Sequence, residues 1–154
     1  MRHRSAQAQI HLTVIRARAE LVRARTALVN AARGLVKSYG QRLPKCGTQQ
    51  VNRELAAGLH AELREVLEPL LQEVESLNER IQEYEVRMEK IAKENYPHVE
   101  LLKQVKGVGT QIALTYVLTL DDPHRFPKSR EVGCFLGLAA PTGSKELSRR
   151  SWPT

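Results

Sequence analysis

Aromatic side chains are scarce, at 5% of the 154 residues, with one Trp and two Phe. Sandwiches and barrels draw their cores from β-branched and aromatic residues, so a core made mostly of Leu, Val, Ala and Ile points to helices. Cysteine is almost as rare. Cys46 and Cys134 lie far apart and in no metal-like spacing, which argues against a disulfide framework and suits a reducing compartment. No apolar run reaches the roughly 18 residues that span a bilayer, and the opening MRHRSAQAQ has no signal-peptide hydrophobic stretch. The expectation is a soluble, cytoplasmic protein with no membrane partner. Its length suits one ordinary domain or two small ones.

Acidic residues are missing from one end: none precedes Glu20. From Met1 to Gly47 ten Lys and Arg face that single Glu, a local charge of +9. From Ala61 to Asn95 ten Glu oppose five Lys and Arg, a local −5, and from Tyr96 onward the balance returns to +3. Basic ends around an acidic middle suit a nucleic-acid binder with a central spacer or oligomerisation element. Solvated helix faces without a partner account for the same charges equally well.

Periodicity sets an all-α architecture, a long helical hairpin or coiled coil followed by a small helix-hairpin-helix module. Residues 1–47 form a long basic helix and its exit. The doublets Val14/Ile15, Leu21/Val22, Leu28/Val29 and Leu35/Val36 recur every seven residues and place one apolar stripe on that helix. Gly40, Pro44 and Gly47 end it. Residues 48–95 form coiled-coil helices: Thr48 caps a first piece carrying Val51, Leu55 and Leu59, and Pro69 kinks or restarts it. Leu63, Leu67, Leu70, Val74, Leu77, Ile81, Tyr84, Met88 and Ile91 then alternate steps of four and three, a heptad seam. From Pro69 to Lys93 that helix reaches about 37 Å at 1.5 Å per residue. Its partner is the first helix, a second chain through Leu63–Ile91, or both. Residues 96–138 form the compact module, with helices over 98–105, 110–120 and about 128–138, and Asp121 or Asp122 as a cap. Residues 139–154 read as an irregular tail.

The module contains LLKQVKGVGTQIALTYVLTL. Gly107 can take positive φ, and Gly109 lets a ligand approach the backbone with no Cβ in the way. A helix starts at once, so its first amides point outward unpaired at the positive end of its dipole. Such a turn suits a phosphate. Lys106 adds charge and Thr110 a hydroxyl, so Lys106, Gly107, Val108, Gly109, Thr110 and Gln111 are the candidate nucleic-acid contacts, with Arg16, Arg23 and Arg33 of the first helix beside them. A close helix crossing that needs two small residues explains the same glycines without a ligand.

The turn resembles the helix-hairpin-helix motif of DNA-repair and recombination proteins. In its setting, KGVGTQIALTYVLTLDDPHRFPKSREVGCFLGL, it resembles the C-terminal domain of the DEDD transposases of bacterial insertion sequences, the IS one-ten and IS eleven-eleven group. Gly107, Val108, Gly109, Ala113, Asp122, Arg125, Phe126, Ser129, Gly137 and Leu138 match that pattern, and the basic helix and coiled coil match the family's middle region. The resemblance implies DNA transposition by an oligomer guided by an element-encoded RNA, with Mg2+ as the full-length family's cofactor and DNA, and guide RNA, as partners. It also implies a nuclease domain N-terminal to the basic helix, whose four metal-binding carboxylates have no counterpart here, so no cofactor is expected in this chain. After Leu138 the match fails. Ser144 falls near the position of the family's nucleophilic serine, but AAPTGSKELSRRSWPT does not reproduce its flanks, which suggests a frameshift or truncation.

The expected activity is therefore binding of DNA or guide RNA, and oligomerisation, without catalysis. The alternative is a non-enzymatic coiled-coil adaptor whose glycine turn serves packing alone. The five His fall in no metal-ligand spacing. Glu62, Glu65 and Glu68 read as solvated surface, and Cys134 as a small core residue.

Overall fold

The computed structural model describes residues 4–122, 124, 126 and 128–138. Helix α1 (Ala6–Ser38) and helix α2 (Ala61–Asn95) run 33 and 35 residues and pack along one another as a hairpin. Three shorter helices follow: α3 (His98–Leu102), α4 (Thr110–Leu120) and α5 (Ser129–Phe135). The ends of α1 are built from its sequence. Ser5 Oγ accepts from the Ala8 amide at 3.2 Å as N-cap. At the other end Gly40 takes φ +82°, the Gln41 amide returns to the Val36 carbonyl, and the Gly40 amide to that of Lys37. That pair of bonds is the Schellman ending, which wants glycine where it stands.

The heptad seam of α2 has found its partner within the chain. Leu67, Val74, Leu77, Ile81, Met88 and Ile91 are buried, with α1 packed along them, while Leu63, Leu70 and Tyr84 are half-buried. A homo-oligomer through Leu63–Ile91 would first have to displace α1 from these residues. The core divides in two. One cluster joins Ala8, Leu12 and Ile15 of α1 to Met88 and Ile91 of α2, Val99, and Ala113, Leu114 and Leu118 of α4. The other joins Val29, Ala32 and Val36 to Leu67, Leu71 and Val74, closed by Val51 and Ala56. Between them Arg25 is 6% exposed, its Nη1 donating to Asn78 Oδ1 at 2.8 Å and its Nε finding no partner.

Three expectations change. Residues 48–59 form no helix under a Thr48 cap. They form two short 3-10 turns, Thr48–Gln50 and Arg53–Ala56, the second capped by Asn52 accepting from the Leu55 amide. Gln50 Oε1 accepts from the Gly47 amide, so polar side chains satisfy the backbone locally in place of a helical ladder. Of the two outcomes expected at Pro69, a kink or a restart, the restart is overturned, because α2 begins at Ala61 and continues through the proline. The helix expected over 98–105 closes after Leu102. There the backbone tightens, with Gln104 bonding back to the Leu101 carbonyl and Val105 to that of Leu102.

Candidate nucleic-acid interface

The glycine turn is open. Its chain leaves α3 in the tightened bonds just described, the Val108 amide bonds the Val105 carbonyl at 3.0 Å, and Gly107 takes φ +89°. Val108 packs partly buried against the first core cluster and anchors the turn. Gly109 is the N-cap of α4, with φ −91° and ψ 176°, and no side chain caps the terminus. The Ala113 amide is the first to bond back, to the Gly109 carbonyl at 3.0 Å, which leaves the amides of Thr110, Gln111 and Ile112 as the helix's unpaired donors. A Cβ built on Gly107 or Gly109 would meet nothing within 4 Å. Gly107 is therefore required by its backbone angle, whereas Gly109 leaves free space in front of the helix end. Lys106, Gly107, Gly109 and Gln111 are exposed and Thr110 is half-buried.

Thr110 separates two clefts. One, of about 230 Å3, is lined by Arg18, Glu85, Glu89 and residues 109–111. The other, of about 450 Å3, lies between α2 and α3 and carries Lys90, Lys93 and Lys103 beside Glu89, Glu94 and Glu100. Two of those lysines already have carboxylates, Lys103 on Glu100 at 3.1 Å and Lys90 on Glu94 at 3.9 Å.

Of the cations expected on α1, Arg16 and Arg23 are exposed and stand two turns apart on one outward face. Arg23 is paired with Glu20, an exposed contact worth little in water. Arg33 is elsewhere: half-buried, it donates Nη2 to the Cys46 carbonyl at 2.7 Å and fastens the exit loop. Arg4 bonds the Thr119 carbonyl at 3.3 Å. With Arg18 and Arg25 also engaged, the basic end presents fewer free charges than its composition suggests. Arg18 was absent from the expected set. No local pattern marks it, because its partners Glu85 and Gln111 come from other helices.

Asp121 ends α4 at φ 59°, and its carboxylate accepts from the Ser5 amide at 2.7 Å and the Ser5 hydroxyl at 3.1 Å. It thus ties the start of α1 to the end of α4. Asp122 accepts from the His124 amide at 2.9 Å, a local turn. Tyr96 meets His11 Nδ1 at 2.9 Å with the rings edge-on. Burial, and then the Asp121 carboxylate, push its phenol above the ordinary value. Among the described residues no three His, Cys, Asp or Glu come together as a metal site, and no helix is long and apolar enough to cross a membrane. Cys134, expected in the core, is exposed on α5. Ser144, Arg125 and the tail from 139 lie outside the described residues.

Residues 99–146, which include the whole turn and α4, match the model of the family described as Transposase IS116/IS110/IS902. The transposase for insertion sequence element IS1111A of Coxiella burnetii (strain RSA 493 / Nine Mile phase I) is 30% identical over 144 residues. That alignment takes in 87% of this chain and 39% of the relative, so the chain spans well under half the relative's length. No solved structure matches.

Proposed function

This chain belongs to the IS116/IS110/IS902 transposase family, and from that premise we propose that it binds nucleic acid in DNA transposition. The glycine turn is the point of backbone contact, and the partner is duplex DNA or the element's guide RNA. One observation carries the proposal: the N-terminus of α4 is uncapped, exposed and fronted by two glycines with open space around them. Amides there, together with Lys106 and the Thr110 hydroxyl, suit a phosphate oxygen, and such contacts fix a backbone without reading bases. Arg16 and Arg23 supply further phosphate contacts along α1.

Binding and not cleavage is the activity proposed for the described segment. The purified chain is expected to bind DNA and to leave it uncut in the presence of Mg2+. Affinity for a labelled duplex should fall steeply between about 50 mM and 200 mM salt, as counterion release demands. In a Lys106→Glu, Gly109→Val double variant affinity should drop and the salt slope should shrink by about 1 for the lost lysine. Affinity for duplex DNA and structured RNA that is flat with salt, or unchanged in that variant, would leave a helical adaptor whose turn serves packing alone.

A further inference from the structure

The fold brings Arg18 of α1 to the glycine turn from 93 residues away. Its Nη1 donates to Gln111 Oε1 at 2.9 Å, in the first turn of α4. Its Nε donates to Glu85 Oε1 on α2 at 3.2 Å, and Nη2 reaches the same oxygen. The Arg18 side chain is 17% exposed and that of Glu85 40%. One guanidinium therefore joins three helices on the wall of the cleft that opens at Gly109 and Thr110.

Glu85 is the reason this junction bears on binding. It lines the same cleft as Gly109, Thr110 and Gln111, and so does Glu89. A carboxylate beside unpaired amides at a helix start competes for them, and it repels an arriving phosphate. Arg18 puts two N–H groups on Glu85 and a third on Gln111, a three-point hold that the single ammonium of a lysine does not reproduce. We propose that Arg18 is a positioning residue for phosphate capture at the turn. It neutralises Glu85 and fixes Gln111, so that the amides of α4 do not have an unpaired Glu85 carboxylate competing with the nucleic-acid backbone for them. The proposal rests on the nucleic-acid reading above.

The experiment compares binding of a short labelled DNA duplex by the full chain and its variants, with thermal melting alongside. Arg18→Met is expected to weaken binding about tenfold, as exposing an uncompensated charge beside a charged ligand does. Adding Glu85→Gln to that variant should bring affinity back to within about threefold of the unaltered chain, although the Arg18 contacts are still missing. A purely structural Arg18 is told apart by the melting curves: its loss of binding would follow the loss of thermal stability, whereas the proposed role weakens binding at temperatures where Arg18→Met is still fully folded. Where Arg18→Met fails to fold, Arg18→Met with Glu85→Met replaces the pair by apolar side chains, a change that such pairs tolerate. That variant should also bind to within about threefold. Unaltered binding in Arg18→Met, or binding in either double variant as poor as in Arg18→Met, overturns the role of Arg18. Should the unaltered chain itself bind neither duplex DNA nor structured RNA, the nucleic-acid reading fails, and the role of Arg18 with it.

Discussion

Gly107 and Gly109 stand two residues apart and answer to different constraints. Gly107 sits at φ +89°, where an L side chain is strained, so Gly107→Ala should destabilise the chain by about 1 kcal/mol in chemical denaturation. Gly109 has an ordinary φ of −91°, and a Cβ there meets no neighbour within 4 Å. Gly109→Ala should therefore cost no more than about 1 kcal/mol, the preference for glycine over alanine at a helix N-cap, and still weaken DNA binding, because its methyl group stands in the path of a ligand. Unchanged binding in a stable Gly109→Ala protein would mean that nothing approaches the turn at that point. Tyr96 offers a second residue-level test. Its phenol is raised above 10.0 by burial and by Asp121, so the neutral form is the one the fold favours. That contribution is fully present below the unfolded phenol's pKa and is lost as pH rises through the folded value. Melting temperature should fall more steeply above pH 10 than in Tyr96→Phe, which has no phenol to ionise there.

At the scale of elements, the α1–α2 hairpin carries a polar layer between two apolar clusters. Arg25 is buried with one hydrogen bond, to Asn78, and an Nε that has none. A desolvated cation so poorly satisfied costs the fold more than a well-packed apolar side chain would. Arg25→Met should raise thermal stability, by about 1 kcal/mol, since the half-buried Asn78 can turn to water. Asn78→Leu should do the opposite and cost about 1–3 kcal/mol, because it strips the buried cation of its acceptor. Two long helices with apolar seams were legible from the seven-residue repeats of α1 and α2, and so was the glycine ending at Gly40. The pairing within the chain was not, because the same repeats suit a second chain as well as α1. Nor was the layer. Arg33 read as a phosphate contact but fastens the loop at the Cys46 carbonyl, and for Arg18 and Arg25 sequence distance hides Glu85 and Asn78, whose positions follow only from the register of two packed helices. Residues 48–59 misled for a different reason. Val51, Leu55 and Leu59 have helical spacing, but Gln50 and Asn52 close their own turns, and a local side-chain bond decides such a short stretch.

Across the whole molecule, the glycine turn belongs to one half of the core. Val108 packs against the cluster containing Leu12, Ile91, Val99, Leu114 and Leu118, while Leu67, Leu71 and Val74 serve the far end with Val29 and Val36. Leu71 and Leu114 are both fully buried, so Leu71→Ala and Leu114→Ala should each cost about 2–5 kcal/mol. Their effects on binding should part. Leu114 stands one turn inside α4, beneath the amides proposed to hold phosphate, and a cavity there lets the helix end shift. Leu71 is separated from it by the polar layer of Arg25 and Asn78. At a temperature where both variants remain folded, Leu114→Ala should bind duplex DNA more weakly than the unaltered chain, and Leu71→Ala should match it. Amide hydrogen exchange should show the same division, with Leu71→Ala loosening the 48–74 end while α4 keeps its protection. Equal loss of binding in the two variants would mean that the hairpin opens as one unit, and that the turn draws its shape from the entire length of α1 and α2.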